Sequence, residues 1–206
     1  MTEALTLSVD AMGGDHGPQV TVPALARAAE RLPAAVRFLI HGDEEAIEAE
    51  LSRLGGLRAR AEIRHTDKVV ASDEKPATAL RRGKGSSMWN AVEAVKLGEA
   101  QAAISAGNTG ALMAVSMLQL RRMEGVNRPA IACLWPSRGK HGFNTLLDVG
   151  ADVKADTPDL LAFAIMGATY FRNGFAEPRP RVGLLNVGTE EHKGRAEIRA
   201  AQELIA

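Results

Sequence analysis

The stretch Leu184-Leu185-Asn186-Val187-Gly188-Thr189-Glu190-Glu191-His192-Lys193-Gly194 decides how the rest of the chain is interpreted. An apolar run that ends in a small-residue turn predicts a buried strand, here over residues 182–187, that carries a polar loop. The segments at residues 10–15, 105–110 and 148–152 repeat this pattern. Because ligands of open α/β sheets bind beyond the carboxyl ends of the strands, these loops are predicted to converge on one site.

Strand-like and helix-like segments alternate along the chain, which favours a three-layer α/β/α fold with a mostly parallel sheet. Thr157-Pro158-Asp159 predicts a helix start with Thr157 as the N-cap. The sequence contains no repeat and no convincing linker, so we expect one α/β domain over residues 1–206, with the natural domain continuing past Ala206. The other predicted strands cover residues 4–10, 36–40, 60–65, 102–105, 130–134 and 145–149, the last two permitting an antiparallel pair.

Composition excludes several classes of protein. The 206 residues include 25 Lys+Arg and 25 Asp+Glu, so nothing in the net charge points to nucleic acid. A single cysteine, Cys133, excludes an intrachain disulfide framework. The N-terminus lacks the features of a secretory signal, and no run approaches the ~18 apolar residues of a membrane span. We therefore expect a cytoplasmic protein, with peripheral membrane contact left open.

The loop Ser105-Ala106-Gly107-Asn108-Thr109-Gly110 has the character of an anion site. Its glycines allow close backbone approach to a ligand, and the helix that follows directs its free N–H groups and positive dipole end at the loop. Ser105, Asn108 and Thr109 add neutral donors. The spacing is neither a dinucleotide fingerprint nor a Walker A loop. A tight strand–helix turn, with glycines needed for packing alone, is the alternative.

The first loop, Asp10-Ala11-Met12-Gly13-Gly14-Asp15-His16, carries two carboxylates. Carboxylates repel phosphate, so Asp10 and Asp15 are expected to orient a cationic side chain or to cap backbone N–H groups near the substrate. Asp10, Asp15 and His16 could in principle bind a metal, but no ligand-spacing motif is present and we expect none.

Two further segments supply charged groups. Lys193 is the best candidate for a cationic donor to phosphate, and His192 titrates near neutrality and could move a proton. A solvated turn before a helix is the alternative for residues 190–193. Residues 67–85, here called the basic excursion, carry five basic side chains and a predicted helix at 77–82. The excursion is interpreted as an active-site lid or a plain surface loop.

Motifs in order along the whole chain resemble the bacterial phosphate acyltransferase family of phospholipid synthesis, the acyl-acyl-carrier-protein:phosphate acyltransferases called PlsX. They are Val-Asp-Ala-Met-Gly-Gly-Asp-His (9–16), the basic segment 81–88, Ile-Ser-Ala-Gly-Asn-Thr-Gly-Ala-Leu-Met (104–113), Leu-Leu-Asp-Val-Gly-Ala (146–151), Phe-Ala-Ile-Met-Gly (163–167) and Arg-Val-Gly-Leu-Leu-Asn-Val-Gly-Thr-Glu (181–190).

The resemblance implies a fold similar to isocitrate and isopropylmalate dehydrogenases and to phosphotransacetylase. It implies an enzyme without a cofactor that makes acyl phosphate from acyl-acyl-carrier-protein and inorganic phosphate. The acyl phosphate would pass to a membrane glycerol-3-phosphate acyltransferase, and the enzyme would be a homodimer working at the membrane surface.

Under this hypothesis the phosphate cradle consists of Ser105, Gly107, Asn108, Thr109 and Gly110, next to Asp10, Gly13, Gly14 and Asp15. Lys193 neutralises charge with help from Asn186, and His16 or His192 handles the proton of the leaving thiol. Arg81, Arg82 and Lys84 would meet the acidic carrier protein, although a solvated basic loop is an equal alternative.

The sequence departs from the family in two respects. Family chains are considerably longer, so this chain looks like their N-terminal part. Asp152 also stands where the family commonly has an amide, which weakens a direct ligand role for that residue. The competing hypotheses are a phosphotransacetylase-like enzyme that uses acyl-coenzyme A, a dehydrogenase of the related fold, and an inactive fragment that binds phosphate or a partner.

Overall fold

The computed structural model describes residues 5–127, 129–149, 155–186 and 195–206. The chain groups into two units, Met1–Arg121 and Arg122–Ala206. The sequence predicts a single domain, and that stays a prediction. The first unit contains β1 (Thr6–Asp10), α1 (Pro18–Ala29), β2 (Arg37–Gly42), α2 (Glu44–Leu51), a short 3₁₀ turn (Arg58–Arg60), β3 (Ala61–His65), α3 (Pro76–Arg82), α4 (Ser87–Lys96), β4 (Ala102–Ser105) and α5 (Thr109–Leu120).

The four strands of the first unit form a parallel sheet in the order β3-β2-β1-β4. Successive side chains of a strand point to opposite faces of a sheet. Phe38 and Ile40 of β2 pack with Ile47 of α2 in the core on one face, whereas Leu39 between them packs with Ala94 of α4 on the other. Helices therefore cover both faces, and the predicted three-layer α/β arrangement with a mostly parallel sheet is confirmed.

The strand order creates a switch point at β1. The chain proceeds from β1 to β2 and β3 on one side, whereas β4 pairs with β1 on the other. Helix α1 follows β1 and packs against α2, while α5 follows β4 and packs against α3 and α4. The loops after β1 and β4 thus lead to opposite faces of the sheet, which opens a crevice at their carboxyl ends.

Helices α2, α4 and α5 of the first unit, and α6 (Thr157–Phe175) of the second, start after a short polar side chain that accepts an N–H group of the first turn. Asp43 caps α2 by accepting from Ala46 N at 2.8 Å, and Ser86 caps α4. The prediction of Thr157 as a cap is wrong by one residue. Asp156 is the N-cap, because its carboxylate accepts from the N–H of Asp159 while the Asp159 side chain returns to the N–H of Asp156.

The second unit contains β5 (Ala132–Pro136), β6 (Phe143–Leu147), α6 (Thr157–Phe175) and α7 (Ala196–Ile205). The predicted antiparallel pair is confirmed as β5 and β6. The predicted strand at 182–187 is wrong for its described part, because residues 182–186 are irregular and Leu185 is 82 % exposed. An apolar run becomes a strand only when a partner supplies the hydrogen-bonded ladder, and the run itself does not specify that partner.

Candidate active site

The candidate site of the first unit lies where β1 and β4 end. Asp10 and Ser105 are the last residues of these strands and are register partners in the sheet. Side chains at paired positions of a parallel sheet point to the same face, which brings them together. The first loop and the loop 105–110 therefore start side by side, as the sequence predicts for two of its four loops.

A chain of hydrogen bonds joins the two loops. The Ser105 hydroxyl donates to Asp10 Oδ2 at 2.7 Å, and the Gly107 N–H donates to Ser105 Oγ at 3.0 Å. Asp10 is 1 % exposed, and its Oδ1 has no partner within the described part of the chain. Because Ser105 donates its proton to Asp10, this hydrogen bond fixes the conformation of the loop, whether or not the two side chains also contact a ligand.

Two glycines allow the loops to approach each other. A Cβ at Gly13 would lie 2.6 Å from Asp10 Oδ2 and 2.8 Å from Gly107 N. A Cβ at Gly107 would lie 2.8 Å from the Cε atom of Met88. Real Cβ atoms do not come so close to other heavy atoms, so a larger residue at Gly13 would displace the loop or the Asp10 carboxylate, whereas one at Gly107 would displace the flexible end of the Met88 side chain. Gly14 adopts φ +86°, a conformation that glycine reaches without strain.

Helix α5 begins directly after the second loop, with Asn108 as its N-cap. Asn108 Oδ1 accepts from Ala111 N at 2.9 Å. An α-helix leaves its first N–H groups without intrahelical acceptors, so those of Thr109 and Gly110 point out of the helix end. Two backbone donors and the positive end of the helix dipole are available there for an oxyanion.

The basic excursion packs beside this helix end. Asn108 Nδ2 donates to Ser72 O at 2.9 Å and to Glu74 O at 2.8 Å. Val70 and Ala79 of the excursion form a buried cluster with Met88 and Ala111. The predicted short helix is confirmed as α3, Pro76–Arg82. The excursion is therefore an ordered part of the first unit and contacts the predicted phosphate loop.

The remaining predicted residues of the first unit lie at the surface. Asp15 and His16 are exposed on the first loop. Arg81, Arg82 and Lys84 are exposed at the end of α3, and none of them forms an ion pair within the described residues. The described ranges contain no group of three or more His, Cys, Asp or Glu side chains arranged to hold a metal ion.

The predicted site residues Asn186, His192 and Lys193 all belong to the second unit. His192 and Lys193 lie outside the described residues, as does Asp152. Asn186 is described and exposed. The catalytic roles proposed for these residues stay predictions.

The sequence analysis missed a buried histidine under the first loop. His41 is the penultimate residue of β2 and pairs with Asp10; it is 4 % exposed, and its Nε2 lies 2.8 Å from Ser8 Oγ. Burial, aided by the positive charge of Arg64 and opposed by Glu62, lowers the pKa of His41 from 6.5 to about 4. His41 is therefore neutral at physiological pH and supports the sheet as an uncharged hydrogen-bonding side chain.

Solved structures define the class of fold. The chain superposes on EutD phosphotransacetylase from Staphylococcus aureus with a TM-score of 0.66 and 15% identity, covering 98% of this chain and 63% of that one. A branched-chain phosphotransacylase from Enterococcus faecalis gives a TM-score of 0.50 at 13% identity, covering 82% of this chain and 51% of that one. The chain thus has a phosphotransacetylase-type α/β fold.

Sequence similarity defines the family. Residues 5–206 match the family described as "Fatty acid synthesis protein". The chain is 58% identical to the phosphate acyltransferases of Cereibacter sphaeroides and Paracoccus denitrificans, matching over 98% of its own length and 55% of each of theirs. The chain therefore belongs to this family, the PlsX-type phosphate acyltransferases, and spans about half the length of the curated relatives it matches.

Proposed function

We propose that this chain carries the phosphate-binding part of an enzyme that transfers an acyl group from acyl-acyl-carrier-protein to inorganic phosphate, an early step of phosphatidic acid synthesis. The observation that supports this proposal is the pair of hydrogen-bonded loops at the carboxyl ends of β1 and β4, in a chain that is 58% identical to phosphate acyltransferases. The exposed N–H groups at the start of α5 suit an oxyanion, which phosphate supplies.

The proposed reaction needs no side-chain nucleophile. A phosphate oxygen attacks the thioester carbonyl carbon and forms a tetrahedral oxyanion. The carbon–sulfur bond then breaks, its electron pair leaves with the sulfur, and the thiolate takes up a proton to give the free carrier thiol. The protein has to position a dianion against the thioester and stabilise the oxyanion, and backbone N–H groups, neutral donors and one lysine suit these tasks together.

Roles for individual residues follow from the geometry and the sequence. The backbone N–H groups of Thr109 and Gly110 bind phosphate in our proposal, while Asp10, Ser105 and Gly107 hold the loop that presents them. In the same proposal Lys193 supplies the positive charge and Asn186 assists it. His16 or His192 provides the proton for the leaving thiol.

The basic excursion is the proposed contact for the acidic carrier protein. Arg81 and Arg82 lie in the last turn of α3, and Lys84 follows them, all three exposed. Exposed cations accelerate the encounter with an anionic partner without needing a tight fit. Their placement on a segment that packs against the phosphate loop would bring the thioester arm to that loop.

The cellular context is part of the proposal. The enzyme would act as a homodimer on the cytoplasmic face of the membrane and pass acyl phosphate to a membrane glycerol-3-phosphate acyltransferase. Among the described helices, none has the length and apolarity needed to cross a bilayer.

A side-by-side turnover assay tests the reaction. The full-length protein is incubated with phosphate and either acyl-acyl-carrier-protein or acyl-coenzyme A, and acyl phosphate is trapped with hydroxylamine. Product from the carrier-protein thioester supports the proposal, whereas product from acyl-coenzyme A alone would assign a phosphotransacetylase-like activity. In a parallel experiment on the 206-residue chain alone, phosphate-dependent thermal stabilisation without turnover would indicate that this chain is a binding fragment. Lys193→Ala should lower turnover at least about 100-fold with little change in stability, and near-wild-type turnover would remove Lys193 from the mechanism.

A further inference from the structure

We infer that Asn108 is a positioning residue, which holds the basic excursion against the N-terminus of α5, and is not a ligand of phosphate. This inference rests on the proposed function only for its kinetic consequence. The structural part stands on the hydrogen bonds of one side chain.

The hydrogen-bonding capacity of the Asn108 amide is committed within the protein. A primary amide has two N–H hydrogens and one carbonyl oxygen. The two donations go to Ser72 O and Glu74 O, at 2.9 and 2.8 Å, and the oxygen accepts from Ala111 N at 2.9 Å. A phosphate that took a donor from Asn108 would leave one of these backbone carbonyls without its partner, at a cost in free energy.

The tip of the excursion is held by hydrogen bonds from Asn108, whereas its base is held by other hydrogen bonds. At the base, Thr66 Oγ1 donates to Gly85 O at 2.7 Å and Ser87 N donates to Lys68 O at 3.0 Å. The tip, residues 71–75, is polar and mostly exposed, so apolar burial contributes little to its position. Asn108 supplies two hydrogen bonds from outside the excursion to this otherwise weakly held turn.

The held turn leads directly into α3. Pro76, the first residue of α3, lies so close to α5 that its Cγ would be 3.0 Å from a Cβ at Gly110. The seven residues of α3 end in Arg81 and Arg82. Loss of the Asn108 donors should therefore loosen the start of α3 and, through it, the position of the exposed arginines. The backbone N–H groups at Thr109 and Gly110 keep their helix and should bind phosphate as before.

Asn108→Ser separates the two roles of this side chain. Serine is as good an N-cap as asparagine, so α5 keeps its start while both donations to the excursion are lost. Asp43→Ser is the matched control, because Asp43 caps α2 through Ala46 N and has no role in the excursion. Both variants are made in the full-length protein.

Hydrogen exchange of residues 71–79 is the first measurement, since the amides of Glu74, Thr78 and Ala79 are hydrogen-bonded there. Asn108→Ser should speed their exchange about tenfold, as expected for two lost neutral hydrogen bonds, and Asp43→Ser should leave it unchanged. The dissociation constant for inorganic phosphate, measured by calorimetry, should stay within about twofold of wild type. In turnover, KM for the carrier-protein thioester should rise several-fold while KM for phosphate is unchanged.

Unchanged exchange at residues 71–79 in Asn108→Ser would overturn the inference. A tenfold weaker affinity for phosphate with unchanged exchange would make Asn108 a ligand instead. If the wild-type protein shows no acyl transfer, the proposed function fails, yet the exchange experiment still decides the role of Asn108.

Discussion

Gly13→Ala tests the central claim about the site, that the first loop and the loop 105–110 are in direct contact. The added Cβ would lie 2.6 Å from Asp10 Oδ2, 2.8 Å from Gly107 N and 3.1 Å from Ser105 Oγ. The obstructing atoms belong to a buried carboxylate and to backbone, neither of which moves freely. The methyl group must therefore push the two loops apart or displace Asp10.

The magnitude follows from these contacts. Overpacking a tight site costs about 1–3 kcal/mol, and displacing the Asp10 carboxylate loses its hydrogen bond from Ser105, worth about 1.5–3 kcal/mol when the acceptor is ionised. When both losses occur, the free energy of unfolding should fall by about 2.5–6 kcal/mol. Domains of ordinary stability have about 5–15 kcal/mol, so the variant should fold but unfold at a lower urea concentration.

Equilibrium urea denaturation, with the free energy extrapolated to water, measures the effect. Gly55→Ala is the matched control, because a Cβ there meets nothing within 4 Å and the backbone conformation is one that alanine adopts. The control should be neutral or stabilising by up to about 1 kcal/mol. Gly13→Ala within about 0.5 kcal/mol of wild type would refute the close approach of the loops.

Two further predictions concern pH and charge. The pKa of His41 is about 4 in the folded chain against 6.5 in the unfolded chain, so its contribution to the free energy of unfolding should be fully present above pH 6.5 and should fall by about 3 kcal/mol as the pH drops to 4. Urea denaturation across this pH range should show the loss in the wild type and not in His41→Gln. An identical pH profile in the variant would contradict this role of His41. Replacing Arg81 and Arg82 by Glu should weaken carrier-protein binding about tenfold at low salt, as measured by calorimetric titration. An unchanged titration would assign Arg81 and Arg82 to an ordinary solvated loop. The same conclusion would follow if replacing Arg27 and Arg31 by Glu, as a control, weakened binding equally.

Local features of the fold could be predicted from sequence because they depend on neighbouring residues. The strand at Ala102–Ser105 is found where the sequence predicts it, and the short helix predicted at 77–82 is found as Pro76–Arg82. The start of α6 is misplaced by one residue, since Asp156 and not Thr157 is its N-cap. A periodic apolar pattern locates a helix but does not fix its first turn.

The candidate site could be predicted as a set of loops but not as a set of contacts. Ser105 and Asn108 appear in the sequence as neutral donors, yet their donors are taken by Asp10 and by backbone carbonyls of the excursion. These partners lie 95 and about 35 residues away in the chain. Residue type alone does not encode such pairings, which depend on strand register and on the path of the excursion. An N-cap role for Asn108 could have been inferred from its position just before a helix.

The balance of charge at the loop shows what the described part of the site still needs. A phosphate dianion brings two negative charges, whereas the N-terminus of α5 offers the equivalent of about half a positive charge. The Asp10 carboxylate, which is bonded to Ser105 of the same loop, does not offset this difference. The N–H groups of Thr109 and Gly110 can thus orient phosphate without neutralising it. A cation must therefore come from outside the two loops, so the cationic side chains of the basic excursion have to be tested by substitution alongside Lys193.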